Sequence, residues 1–566
     1  MALILLSWLY VFFTSIAVGI GFSKLFRIQS LTIVNAGILG LFGVTVLASS
    51  WAIFGPINIG FHIFLLITSM VLGFYFKADF KEIIKSFRIQ LTSFSVLIKA
   101  LLSFSSVLIL AQSATLPFIV DNETYYIQTI KWLNEFGFVP GLANLHLFLG
   151  QTSGWHITQS VYSFSFRYDS FNDLNGYVFL LCNFWVFQKL HSYFTNGKRL
   201  DLVFGLLPLT YVFMFQFVSA PSPDLPVYLI GFIVFSIYLD SQKENVLEKF
   251  NLLTVLVLFA VYIKITAVVL LVLPFILLIK NIGVLRSQLV PIRLLGGLVL
   301  FLFAIKNIIL TGYPFYPLTV LPYSGADYVV PLEIINYFFG GEMMHSFYMG
   351  FGTFEKASFL DFLKQYFLHN GIDSIIGLTT AFLLLISPFL ISKYYPKQRI
   401  RDVYFVFIAL LILLALSSPQ YRFYVYFTIF FGLIFLSILI TKEKLIMGLL
   451  SLSLLLVAVL VFVPMSFSVL TQNKLLAENN PFQLESVIHP KPNTKEKLDF
   501  NEDSKGNLNY FSPVNVELFW ITGNGNLPCV NKEQLDYFET NFHVIPQLRG
   551  QTLSEGFYAK KTKTND

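Results

Sequence analysis

Apolar runs of about 20 residues recur from one end of the chain almost to the other, and that recurrence leaves very few folds open. A helix of that length crosses a hydrocarbon core of about 30 Å. Lipid offers backbone groups no partner, so a spanning segment is either a helix or part of a closed barrel. A barrel would show alternating segments of about ten residues, and the runs here are continuous. Composition agrees: 12% of residues are charged and 56% hydrophobic, against about 25% charged in soluble domains. The sequence predicts an all-α polytopic membrane protein whose partner along most of its surface is the lipid bilayer. The net charge of +6 points to loop charges that orient the spans rather than to nucleic acid.

The expected spans are 2–22, 31–53, 57–76, 97–118, 173–195, 201–220, 226–240, 250–280, 294–311, 372–392, 402–418, 421–440 and 445–466. With 250–280 read as a pair of half-helices meeting near Lys264, this makes a bundle of about 13–14 membrane segments. The opening run lacks a basic stretch before it; Lys24 and Arg27 follow it, so it reads as an uncleaved first span. Lys and Arg gather at every second turn, which predicts an N-terminus outside and a C-terminus outside. On that orientation two large loops, 119–172 and 312–370, and a polar appendage, 467–566, face away from the cytoplasm. The domain organisation is then a transmembrane part, 1–466, and the appendage. No internal repeat marks a solenoid or an inverted-repeat transporter. Cys182 lies in an apolar run and Cys529 near the C-terminus, which argues against a disulfide between them.

In so apolar a chain, charged residues at the ends of spans carry the information. "PFIVDNETYYIQTIKW" opens with Asp121 and Glu123 ahead of a helical stripe. Asp121 is readable as a general base or metal ligand, or as the N-cap of that helix. His146 and His156 lie in the same loop, suited to phosphate contact or proton transfer, or to backbone hydrogen bonds alone. "SAPSPDLPVY" aims Asp224 at the same face from a proline-rich turn, where Asp is also an ordinary turn residue. Lys264 stands in the middle of an apolar stretch, a position that is functional by default. Lys306 is nearer a span end and can snorkel, or serve the same anion. Arg422 in "SSPQYRFYVYF" is either a fork for phosphate oxygens or an anchor in an aromatic belt.

These pieces, in this order, resemble the GT-C glycosyltransferases, multi-span enzymes that use polyprenyl-phosphate sugars. The resembling parts are the acidic "DNE" followed by "YY" and "W", the "SPDLP" turn, the intramembrane "YIK", the "GYPFYP" segment and the late "SPQYRF", over about 110–430. The loop with "VPGLANLH" and "WH" also resembles a poorly characterised branch of bacterial multi-span proteins. The resemblance implies a bacterial cytoplasmic (inner) membrane and a glycosyltransferase acting in cell-envelope glycan synthesis. Its donor would be a polyprenyl-phosphate sugar and its acceptor a glycan, lipid or protein. It implies Asp121 as base or metal ligand, with Glu123 beside it and Asp224 as the second acidic residue. Lys264 and Arg422 are implied near the donor phosphate, and a divalent Mg or Mn ion is the cofactor implied. Three extra spans over 1–96 precede the first loop, and D-N-E stands where D-D or D-x-D is usual. The rival readings are a transporter or flippase of lipid-linked glycans, a polymerase or ligase of them, and a membrane scaffold.

Overall fold

The computed structural model describes residues 1–29, 31–166, 173–241, 245–347, 349–369, 371–396, 398–469, 471 and 474–562. The end of the first outer loop expected from sequence, 167–172, lies outside them. The chain is mostly helical, and among the described residues eight helices are long and apolar enough to cross a membrane. They are Ala2–Leu25, Ile33–Ala52, Val96–Ser113, Arg199–Phe217, Val246–Ile263, Ile282–Thr311, Ile372–Tyr394 and Glu443–Phe462. The protein is an integral, mostly helical polytopic membrane protein, and the expected all-α character holds outside the C-terminal appendage, which carries strands.

Small residues let the helices approach where the lipid-facing surfaces cannot supply a hydrophobic drive. Ala2–Leu25 and Ile33–Ala52 touch backbone to backbone at Gly19 and Gly40. A Cβ on Gly40 would lie 1.6 Å from the Ser15 carbonyl oxygen, and one on Gly19 would lie 1.9 Å from that of Ala36. Inside the bundle the polar side chains find one another, as in Thr45 Oγ1 to Thr158 Oγ1 at 2.6 Å and Asn183 Nδ2 to Ser105 Oγ at 2.8 Å. That is required of hydroxyls and amides that water cannot reach. Cys182 and Cys529 are both free and buried.

The segment around Lys264 differs from the expected pair of half-helices. The first arm, Val246–Ile263, has 18 residues and is itself of membrane length. It starts four residues earlier than hydropathy suggested, because its first turns hold Glu248 and Lys249. Lys264 is extended (φ −148°, ψ 120°) and ends that helix, after which Ile265–Leu271 and Val272–Lys280 continue the chain. Lys264 is therefore at the end of a full-length arm. The break frees the Ile263 carbonyl, and Ser153 Oγ donates to it at 2.6 Å, tying the 119–172 loop to the break.

The appendage carries two antiparallel hairpins, Phe500–Lys505 with Leu508–Pro513 and Val544–Leu548 with Phe557–Lys561, and a helix, Lys532–Phe542. It is docked on the 119–172 loop. Thr522 N and Gly523 N donate to the Glu123 carbonyl at 3.0 and 2.8 Å, and Gln128 Nε2 donates to Gly525 O at 2.9 Å. Leu508, Tyr510 and Val530 of the appendage share an apolar cluster with Trp132, Leu142 and Leu145 of the loop.

Candidate functional site

The acidic pair divides. A helix begins at Asp121 with one wide turn, Asn122–Tyr126, before it settles into Ile127–Glu135. Such π-turns are uncommon and often mark functional sites. Asp121 makes no side-chain capping bond to this helix. Its carboxylate instead meets the guanidinium of Arg422, and Tyr126 Oη donates to the same oxygen at 3.3 Å. The cap reading of Asp121 therefore does not hold. Two positions along, the Glu123 side chain turns the other way. It accepts from Asn122 Nδ2 at 3.0 Å, from Thr494 Oγ1 at 2.6 Å and from the Lys495 amide at 2.9 Å. Burial pushes its carboxyl above the usual range, against those three donors. Glu123 thus serves as an anchor for the appendage.

Asp224 opens the helix Asp224–Leu239, where the positive end of the helix dipole favours a carboxylate. The turn that carries it is fixed by Asn175, whose Nδ2 donates to Ser222 O at 3.0 Å and Phe217 O at 2.7 Å while Oδ1 accepts from Trp155 Nε1 at 2.5 Å. Asp224 is 2% exposed and its carboxylate pairs with the Lys264 ammonium. Two ion pairs, Asp121–Arg422 and Asp224–Lys264, thus come together from four separate parts of the chain. Phe423 joins them: the Lys264 ammonium lies 3.9 Å from its ring centre and the Arg422 guanidinium 5.4 Å. Both are cation–π contacts. Arg422 is held from behind, with its Nε donating to Gln420 Oε1 at 2.7 Å and its carbonyl accepting from Tyr228.

The structure adds residues that the sequence reading missed. The helix Leu332–Ser346 of the 312–370 loop brings Glu342 and His345 into the electrostatic reach of Arg422 and Asp121. Burial, opposed by Arg422, pushes the Glu342 carboxyl upward. Asp373, in the first turn of Ile372–Tyr394, feels Arg422 as well. The signal for Glu342 was present, since "YFFGGEMMHSFY" sets one carboxylate in a run of aromatic residues.

The other expected site residues lie around this centre. His156 caps the helix Gly154–Tyr162, its Nδ1 accepting from the Ser153 amide at 3.3 Å, and packs against Tyr126 at 4.7 Å between ring centres. Lys306 donates to the Thr152 carbonyl, next to the same cap. His146 is elsewhere. Its Nε2 lies 3.1 Å from the Trp520 carbonyl, at the seam between loop and appendage. Burial lowers the pKa of His146 to about 4 and that of His156 to about 3. Both are therefore neutral at pH 7 and offer no positive charge to a phosphate. Because the folded-state pKa values are depressed, the stability they confer is complete above the unfolded value of about 6.5. It is lost as pH falls from there toward 4, where the unfolded chain binds protons that the folded chain refuses. A melting temperature that drops between pH 7 and pH 4.5, with a smaller drop in His146→Gln, is the expected result; a flat profile in the wild type would contradict it.

The carboxylates that the resemblance implies for a divalent metal are already engaged. Each carboxylate of the Asp121 and Asp224 pair is engaged by a basic side chain, and among the described residues no group of three or more His, Cys, Asp or Glu is placed to hold an ion. What the arrangement offers is a pair of fixed cations, each neutralised by a carboxylate, half-shielded from water and walled by tyrosines. An entering anion would compete with the carboxylates for the cations.

One family model matches this chain, over residues 1–429, which is most of its length. The chain belongs to the family described as a domain of unknown function, DUF8201. Comparison with curated proteins and with solved structures returns no match. The region shared with DUF8201 includes Asp121, Asp224, Lys264, Glu342 and Arg422, whereas the appendage lies beyond it.

Proposed function

We propose that this DUF8201 protein is a GT-C-type membrane glycosyltransferase that moves a sugar from a polyprenyl-phosphate donor to an acceptor hydroxyl of a glycan, lipid or protein. The observation that carries the reading is the convergence of Asp121, Arg422, Lys264 and Asp224 around Phe423. In this proposal the chain threads a bacterial inner membrane with about 13–14 segments, both termini outside, and the ion pairs lie at the outer face.

The donor phosphate takes the place of the carboxylates on Arg422 and Lys264, whose forked and point charges suit its oxygens. That exchange releases Asp121 as a free carboxylate beside the reacting sugar. Asp121 accepts the proton of the acceptor hydroxyl as its oxygen bonds to the anomeric carbon. The bond from that carbon to the phosphate oxygen breaks, and its electron pair leaves with the polyprenyl phosphate, where Arg422 and Lys264 stabilise the charge. The single displacement inverts the anomeric centre.

Mass spectrometry of lipid extracts tests this in the source cell. A deletion strain should accumulate a polyprenyl-monophosphate sugar that the wild-type gene clears. Accumulation of a polyprenyl-diphosphate oligosaccharide instead would favour a polymerase or ligase. An unchanged lipid profile would remove the donor from the account.

A further inference from the structure

A second charged feature lies at the other end of the bundle and belongs to no part of that chemistry. The helix Ile59–Tyr75 turns through 83° into a second helix, Lys77–Ser93. This second helix is amphipathic. Phe80, Ile84, Phe87 and Leu91 rest against the apolar core, and Ile83 is buried. At 100° per residue, Lys77, Lys81, Lys85 and Arg88 fall within about 80° of arc beside that apolar face. All four are exposed or half-buried, and among the described residues none has an acidic partner. The one carboxylate of the helix that forms an ion pair, Asp79, does so with Lys24. Phe80, Lys81, Ile84, Lys85, Arg88 and Ile89 line a shallow groove of about 480 Å³.

The position is as telling as the charge. Phe87 packs against Phe184 at 4.7 Å between ring centres, and Phe94, one residue past the helix, against His191 at 5.2 Å. Both partners lie on the helix Leu174–Asn196, whose other end reaches the Asp224 turn through Asn175. Asn175 and His191 are 16 residues apart on that helix, a rise of about 24 Å, so the basic helix and the candidate site lie toward its opposite ends. A helix that leaves a span at 83° and keeps its apolar face inward runs along the membrane surface. Its cations then sit at head-group depth, and among the described residues none of the four forms an ion pair.

We propose that Lys81, Lys85 and Arg88 form a binding site for the head group of an anionic phospholipid in the leaflet opposite the candidate site. The lipid phosphate bonds to the two ammonium groups and the guanidinium fork, and its acyl chains follow Phe80, Ile84 and Ile89 toward the bilayer. Charge complementarity selects an anionic lipid over a zwitterionic one, and the apolar floor selects a lipid over a free anion.

The test uses the purified full-length protein, delipidated in neutral detergent and titrated with phosphatidylglycerol or phosphatidylcholine, with retained lipid counted by native mass spectrometry. The wild type should retain phosphatidylglycerol in preference, with about fivefold weaker retention for each cation removed at low salt in Lys81→Gln, Lys85→Gln and the triple variant with Arg88→Gln. Lys81→Arg should keep the preference. Equal retention of the two lipids by the wild type, or an unchanged preference in the single and triple variants, would overturn the proposal. Displacement of the lipid by about 10 mM inorganic phosphate, roughly a hundredfold above the titrant, would do so too, by showing a site for the free ion.

Discussion

Asp121→Asn should lower sugar transfer by about 10²–10⁴-fold, the usual contribution of a positioned general base. The same variant should bind the donor more tightly than the wild type. The amide that replaces the carboxylate is isosteric with it and can still accept from Tyr126, but it no longer holds the Arg422 guanidinium with a full charge. The phosphate then competes with a neutral group instead of an anion. A fall in turnover combined with a rise in affinity separates a base released by its substrate from a residue that merely shapes the pocket, whose loss would weaken both. Measuring the two constants on the same preparation distinguishes the cases, and retained turnover would end the role given to Asp121.

Lys264→Met should destabilise the folded protein by about 3–5 kcal/mol, the cost of leaving one partner of a buried pair uncompensated. Asp224 is 2% exposed, so its carboxylate has no water to turn to when the ammonium is removed. The cost arises from the orphaned charge, and the double variant Lys264→Met with Asp224→Leu should recover most of the lost stability while remaining inactive. Thermal unfolding of the three proteins in one detergent reads this directly. A Lys264→Met protein as stable as the wild type would show that the pair is not held together in the folded state.

Hydropathy alone made the helical, membrane-embedded character legible, because a run of 20 apolar residues has no other stable use. It failed at Val246, where Glu248 and Lys249 hide the first turns of a helix whose length depends on its neighbours rather than on its own composition. The same limit explains the Asp121–Glu123 pair. Two residues apart on a helix, side chains point to different faces, but which face meets Arg422 and which meets the appendage depends on contacts that are 301 and 371 positions away in the chain. The charged residues that converge were readable as exceptions in an apolar background, and Arg422, Lys264, Asp224 and Asp121 all stood out for that reason. Glu342 was overlooked because it sits in a loop, where a carboxylate attracts no notice until tertiary structure buries it. His146 and His156 were readable as histidines but not as neutral ones, since only packing removes the water that would let them take a proton.

The central claim is that Arg422 and Lys264 receive a lipid phosphate, and polyprenyl phosphate tests it without knowledge of the sugar, because it is the product common to every such donor. Binding of polyprenyl phosphate to the purified protein, compared with the uncharged polyprenol and repeated on Arg422→Gln, is the most direct measurement. Saturable binding of the phosphate, absent for the alcohol and weakened by about tenfold or more in Arg422→Gln, is the predicted result. Equal binding of phosphate and alcohol, or undiminished phosphate binding by the variant, would contradict it.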